Sequence, residues 1–226
     1  IGEDSLFPRM TRKGVEKWAK QLGLTVVLAE NYGSRKQGDY TALLQKIKSK
    51  RAEAIFSNSY FADAASQIRT LREMDYNLKI FASPVGPGLP RFAKDLGSTA
   101  EYVLGFTQWE PIPDKLGYPG MREYIAGYTK KYGTPPNYHA GAAYGAMQVL
   151  EAAVKHAGSF DNEKVRDAYA TIDVMTMFGR YKVDEKGLSR HTGMTFQIQN
   201  GKRMIVWPKE QAQVKAKLPM PKWSER

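Results

Sequence analysis

Residues 54–82 read AIFSNSYFADAASQIRTLREMDYNLKIFA, and this stretch decides the fold class. Ala54-Ile55-Phe56-Ser57 is a short apolar run of the kind that forms a buried strand. Ala64, Ile68 and Leu71, with Met74 behind them, then recur at three- and four-residue spacing, the stripe of an amphipathic helix. Leu78 to Ala82 is a second apolar run. A strand, a helix and a strand in this order form a crossover unit, with parallel strands and a right-handed connection.

The same rhythm extends to both sides. Upstream, Val15, Trp18, Ala19 and Leu22 mark a helix stopped by Gly23, and Leu24–Ala29 predicts a buried strand. Asp39 is placed to cap a helix carrying Leu43, Leu44 and Ile47. Downstream, Tyr102 to Phe106 predicts a further strand. After Trp109 and the prolines at 111 and 113 the pattern changes: three helical segments follow with no strand between them. The first carries Met121, Tyr124, Ile125, Tyr128 and Tyr132 and stops at Gly133. The second, Tyr138 to His156, is rich in Ala and Gly and has the profile of a helix pressed against other backbone. The third carries Val165, Ala168, Tyr169 and Ile172, with Ser159 or Asp161 as its cap. Met194–Gln199 and Lys202–Trp207 flank Asn200-Gly201, the signature of a tight hairpin. The tail from Pro208 is expected to lie extended along a surface.

The composition bounds the function. The chain has 226 residues, 42% of them apolar and 25% charged, which are globular values. It lacks Cys, so disulfide scaffolds, thiolate metal sites and cysteine nucleophiles are excluded. His139, His156 and His191 have no partner at metal-ligand spacing, and no metal or cofactor is called. No G-x-S-x-G elbow or nucleophile–base set appears, so an enzyme is not expected. Gly86-Pro87-Gly88 reads as a turn rather than a phosphate loop, because a third Gly is missing and Pro87 removes a donor. The net charge of +11 comes from scattered Lys and Arg without interleaved stacking aromatics, so nucleic acid is not called as a partner. No apolar run reaches the roughly 20 residues of a membrane span. The chain opens Ile-Gly-Glu-Asp and reads as entering the end of a strand.

Parallel sheets bind ligands beyond the carboxyl ends of their strands. Three successive strand ends here share one punctuation: Ser5, Leu6, Phe7 and Pro8; Asn58, Ser59, Tyr60 and Phe61; Ser83, Pro84, Val85 and Gly86. Each offers a small polar residue beside an apolar or aromatic one, which suits a small organic ligand held by a few hydrogen bonds. The alternative is that Phe7, Tyr60 and Val85 simply cap the core.

With these residues in place, the chain resembles the C-terminal two-thirds of a periplasmic solute-binding protein of the leucine/isoleucine/valine-binding type. The signals run in order: Glu3-Asp4 with Phe7, Gly38-Asp39-Tyr40, Ser57 to Tyr60, Tyr124, Tyr128 and Tyr132-Gly133 with Pro136, then Ala143-Tyr144, Ala157-Gly158-Ser159, Val165 to Ala168, Thr176 with Phe178-Gly179, Asp184 with Gly187, and Gln197 through Gly201-Lys202 to Trp207-Pro208.

The resemblance implies a type I periplasmic-binding-protein fold: an α/β parallel-sheet lobe plus the helical part of a second, incomplete lobe. Residues 1–105 would form the second-lobe sheet domain, 106–187 helices returning to the first lobe, and 188–226 a hairpin and tail returning to the second. The first lobe's sheet would precede Ile1, which explains the strandless middle. The faces so exposed would pair with another copy, or the chain would be a truncated product. The implied function is capture of a small solute between two lobes for an ABC importer, with a membrane permease as partner and periplasmic location behind an upstream signal peptide. A sensing or receptor domain of the same fold is the alternative. The implied ligand-binding residues are Phe7, Ser59, Tyr60, Ser83, Val85, Gly86 and Trp109, with Gln108 beside the last. In the family's amino-acid binders a Glu accepts the ligand's ammonium at the position of Val85. An ammonium buried there without a carboxylate is costly. The expected solute is therefore an aromatic or aliphatic carboxylate or an amide, ahead of a branched-chain amino acid. Phe7 also lacks the hydroxyl of a Tyr seen in some relatives.

Overall fold

The computed structural model describes residues 1–33, 39–189, 191 and 193–226; Gly38 of the helix-start motif lies outside them. The chain divides into two units, one made of Ile1–Thr107 with Thr195–Arg226, the other of Gln108–Met194.

In the first unit the elements are β1 (Gly2–Glu3), α1 (Leu6–Gln21), β2 (Asn31–Tyr32), α2 (Thr41–Ser49), β3 (Ala54–Phe56), α3 (Phe61–Glu73), β4 (Ile80–Ser83), α4 (Pro90–Leu96) and β5 (Leu104–Thr107). β3 pairs in parallel with β4, and β4 with β5. β1 pairs in parallel with β2, Gly2 opposite Asn31 and Glu3 opposite Tyr32. Gly2 also bridges Asn58 in parallel, so β1 lies between β2 and the end of β3. This is the crossover architecture that the strand–helix–strand rhythm predicts.

α2 forms because Leu44 and Ile47 face the core and Asp39 Oδ1 accepts the Thr41 N–H at 2.9 Å. α3 buries Ala64, Ile68 and Leu71, the stripe read from the sequence. α1 differs from its reading: Val15 and Ala19 are half-buried, whereas Trp18 and Leu22 are exposed. The predicted strand Leu24–Ala29 is also corrected. Its residues make no strand pairing, and β2 forms only at Asn31–Tyr32, where β1 supplies a partner. α4, not read from the sequence, starts on Pro90, whose missing N–H costs nothing at a helix start.

Gln108–Met194 contains α5 (Pro113–Leu116), α6 (Met121–Tyr132), α7 (Tyr138–Ala157), α8 (Asn162–Thr171) and a small antiparallel ribbon of β6 (Val174–Thr176) and β7 (Gly179–Tyr181). α7 and α8 pack through Val149, Ala153, Val165, Ala168 and Ile172. The Gly face of α7 is not pressed on backbone of a sheet. A Cβ on Gly141 would lie 3.0 Å from the Trp109 ring, and one on Gly145 would lie 2.6 Å from Phe178 Cβ, so these glycines admit two aromatic side chains.

β8 (Met194–Gln199) and β9 (Lys202–Trp207) form the expected hairpin. Asn200 and Gly201 take φ of 54° and 71°, the left-handed angles its turn requires. β8 joins the edge of β5, giving the order β3-β4-β5-β8-β9. Phe196 and Ile198 are completely buried in this sheet's core with Phe81 and Val103. The tail follows the surface, and Met220 is buried where its backbone N–H reaches Lys79 O and its Sδ accepts the Phe81 N–H.

Candidate functional site

The chain leaves β1 towards β2 on one side and leaves β3 towards β4 on the other. With right-handed crossovers, this reversal sets α1 and α3 on opposite faces of the sheet and opens a crevice beyond the carboxyl ends of β1 and β3. The sequence brings Phe7 and Tyr60 to that crevice. Their ring centroids are 6.3 Å apart with the planes tilted by 31°, and both rings are a little under half exposed. Half-buried Val85 follows β4, on the turn beside them. Gly86 lets this turn approach α3, since a Cβ there would sit 2.9 Å from Ala64 Cβ and 3.3 Å from Phe61 Cα.

A polar spine runs beneath the rings. Ser57 Oγ donates to Gln67 Oε1 at 2.5 Å and lies 2.8 Å from Ser59 Oγ. Gln67 Nε2 donates to the Tyr32 hydroxyl at 3.1 Å, which in turn faces Asp63 Oδ2 at 3.4 Å. Burial, and then the Asp63 charge, push the Tyr32 phenol above its ordinary range, so it stays a neutral donor. Burial and Asp63 also raise the Glu3 carboxyl, whereas the Arg9 hydrogen bond holds Asp4 low. The Asn58 side chain is tied to the carbonyls of Ile1 and Phe56.

Donor capacity remains at this edge. Ser5 and Tyr60 occupy the N-cap positions of α1 and α3, and neither side chain caps its helix. The Oγ atoms of Ser5 and Ser83 are buried without a hydrogen-bond partner among the described residues. Two aromatic rings, uncapped helix N-termini and buried hydroxyls form an edge that can seat an apolar body and a polar or anionic end.

Of the residues singled out from the sequence, Phe7, Tyr60 and Val85 lie open at this edge, while Ser59, Ser83 and Gly86 are buried beneath it. Trp109, also named from the sequence, belongs to the other unit. It is fully buried in the unit of Gln108–Met194, where its indole N–H donates to Met177 O at 3.0 Å and its ring stacks on Phe178. The Gln108 carbonyl oxygen lies 2.6 Å from His191 Nε2. The sequence reading missed Gln67, Asp63 and Tyr32. Gln67 carried a signal, since it stands on the apolar stripe of α3 three residues after Ala64. Among the described residues no acidic or His cluster is arranged to hold a metal ion, and no helix is long and apolar enough to cross a membrane.

A parallel sheet whose strand order reverses at β1, with a helical unit inserted in the chain between β5 and β8, is the architecture of the type I periplasmic-binding fold. The comparisons agree. The family model for periplasmic binding proteins matches residues 1–203. The Leu/Ile/Val-binding protein homolog 7 of Brucella suis is 30% identical over 230 residues, covering 97% of this chain and 57% of that protein. Homolog 8 of Brucella abortus is 26% identical, covering 94% and 54%. Among solved structures, a leucine-binding protein, LivK, from Thermotoga maritima matches with a TM-score of 0.81 at 22% identity, over 90% of this chain and 58% of that one. An extracellular ligand-binding receptor from Rhodopseudomonas palustris matches with 0.79 at 24% identity, over 91% and 62%. The chain belongs to the periplasmic binding protein family, of the leucine/isoleucine/valine-binding type. It spans a little over half the length of these curated relatives.

Proposed function

We propose that this chain is the solute-capturing part of an ABC importer's substrate-binding protein, working in the periplasm and delivering its solute to a membrane permease. The reading is of binding, not catalysis. The observation that carries it is the Phe7–Tyr60 pair at the crevice where the sheet reverses. A solute seated on this edge is covered when a second lobe closes by hinge bending, and it favours closure only through contacts made in the closed state.

The solute class follows from Val85. It offers no carboxylate to an ammonium, whereas Ser5, Ser83 and the ends of α1 and α3 offer donors. An aromatic or aliphatic carboxylate, or the corresponding amide, suits this edge better than a free branched-chain amino acid. A receptor or sensor role for the same site is the second reading, prompted by the receptor from Rhodopseudomonas palustris among the similar structures.

Calorimetric titration of the protein at its natural length tests this. Benzoate-like and branched aliphatic carboxylates or their amides are expected to bind, and Tyr60→Ala to weaken them by about tenfold through lost ring contact. Tight leucine binding, with no response to carboxylates or amides, would overturn the solute class. Binding unaffected by both Phe7→Ala and Tyr60→Ala would overturn the site.

A further inference from the structure

Within Gln108–Met194 a chain of oxidisable rings runs from the core to the surface. Trp109 is completely buried beside the equally buried Met121 and Met177. Its ring makes two aromatic contacts. One is with Phe178, whose benzene ring is inert to mild one-electron oxidants. The other is with Tyr124, with centroids 6.2 Å apart and planes at 71°. The chain forks there. Tyr144 of α7 stands 4.6 Å from Tyr124 by centroid, and Tyr128, one turn along α6, stands 5.9 Å away. Tyr128 lies 4.5 Å from Tyr132. Both ends of the fork meet water, since Tyr132 is 57% exposed and Tyr144 47%.

Tyr124, Tyr128 and Tyr132 recur every four residues, so they follow one another along one face of α6. A face that only packs is served equally by Phe. Phenols in ring contact with an indole add what packing does not use, a run of easily removed electrons. Hydrogen bonding gives the run a direction. The Trp109 indole N–H donates to the Met177 carbonyl at 3.0 Å. A carbonyl is a feeble base, so an indole that loses an electron there keeps its proton and stays a radical cation, the stronger oxidant of its two radical forms. Burial, and then the neighbouring phenols, push the Tyr124 phenol above its ordinary range, so it holds its proton until it is oxidised. Water takes phenolic protons most readily at the exposed ends.

We infer that Trp109, Tyr124, Tyr128, Tyr132 and Tyr144 form a hole relay, which moves one-electron oxidation from the buried indole to phenols at the surface. The oxidant is an oxygen-centred radical, which removes one electron from Trp109. Tyr124 returns an electron to the indole, releases its phenolic proton to water and becomes a tyrosyl radical. That radical then takes an electron from Tyr144, or from Tyr132 by way of Tyr128. Each donor loses one proton, and each acceptor regains one from water. The net change is one electron to the oxidant and one proton to water, with the radical left on Tyr132 or Tyr144. There a soluble one-electron reductant, such as an enediol, quenches it, or two radicals on separate molecules join through a carbon–carbon bond as dityrosine. The relay spares a core whose methionines would become polar sulfoxides on oxidation.

The test leaves Trp109 as the one indole of the 226-residue chain through Trp18→Phe, Trp207→Phe and Trp223→Phe. A flash at the red edge of indole absorption, with a cobalt(III) ammine as irreversible electron acceptor, removes one electron from it. The broad indole-radical absorption is expected to decay as the narrow tyrosyl band rises, and peptide mapping to place dityrosine at Tyr132 and Tyr144. Tyr124→Phe keeps the ring and its packing but removes the phenol. It should lengthen the indole-radical lifetime severalfold and raise oxidised products at Trp109. Tyr138→Phe, on a ring that packs against the same core outside the chain of contacts, should change neither. The same mapping on the chain with all its tryptophans, exposed to hydroxyl radicals, frees the test from the indole substitutions: Tyr124→Phe should again raise oxidation of Trp109 severalfold. A tyrosyl band that never follows the indole band overturns the inference. So does an indole lifetime unmoved by Tyr124→Phe, or lengthened equally by Tyr138→Phe, and so do equal yields of oxidised Trp109 with and without the Tyr124 phenol. No ring of the relay belongs to the solute edge formed by Phe7 and Tyr60, so either proposal can fail alone.

Discussion

Gly105 has the least room for a side chain of the described glycines. A Cβ there would stand 2.2 Å from Cζ of Phe196, whose ring is completely buried. Neither β5 backbone nor a fully packed ring can withdraw without disturbing neighbours. Gly105→Ala is therefore expected to destabilise the protein by about 1–3 kcal/mol, seen as a lower urea midpoint at unchanged slope. The double variant Gly105→Ala/Phe196→Leu should recover part of that loss. Full additivity of the two changes would mean that the ring contact is not the cause. What the sequence shows of the proposed site is local. Phe7 and Tyr60 each stand four residues past a strand end, and their rings meet there. The environment of Trp109 is not local: the partners that bury the indole, Met177 and Phe178, are remote in sequence and leave no mark near it.

Helices were legible because their signals are internal to them. The α3 stripe and the α8 cap were both visible as spacing. In α8, Asp161 Oδ1 accepts the Lys164 N–H at 3.1 Å, and Ser159 Oγ accepts the Asp161 N–H at 3.0 Å, so the two cap candidates act in series. Asp161→Ala should cost about 1 kcal/mol in chemical denaturation, and Ser159→Ala distinctly less. An equal loss from both would show that the Ser159 turn, not the cap itself, sets the start of α8. Strands are pairwise objects, and here the sequence misled. Leu24–Ala29 has the composition of a buried strand but no neighbour to pair with, while Asn200-Gly201 succeeded because a hairpin carries its own partner.

At the scale of the whole molecule, stability should depend on pH through Glu3. This carboxyl is nearly buried and, through burial first and the Asp63 charge second, titrates above its ordinary value. A raised carboxyl favours folding most when protonated, and that contribution is lost as pH rises through the folded-state value. Glu3→Gln is thus expected to be more stable than the parent at neutral pH, with the two converging below about pH 4, where Glu3 is protonated in both folded and unfolded chains. Denaturant titrations at several pH values check this. A gap that persists unchanged into acid would point to packing rather than charge. The net charge of +11 comes from scattered Lys and Arg, and the edge proposed for the solute presents helix N-termini.

The sheet order β3-β4-β5-β8-β9 also has a consequence in time. β5 acquires its neighbour β8 only after all of Gln108–Met194 has been made. On a ribosome adding residues at ordinary rates, that interval is on the order of ten seconds or less. Throughout it the nascent chain presents the naked edge of β5, with Gly105 leaving a ring-shaped vacancy that Phe196 has yet to fill. The intervening segment has its own cores, around Val149 and around Trp109, and can settle meanwhile. The β8–β9 hairpin therefore acts as the clasp of a sheet whose other strands, β3 to β5, precede the helical segment in the chain.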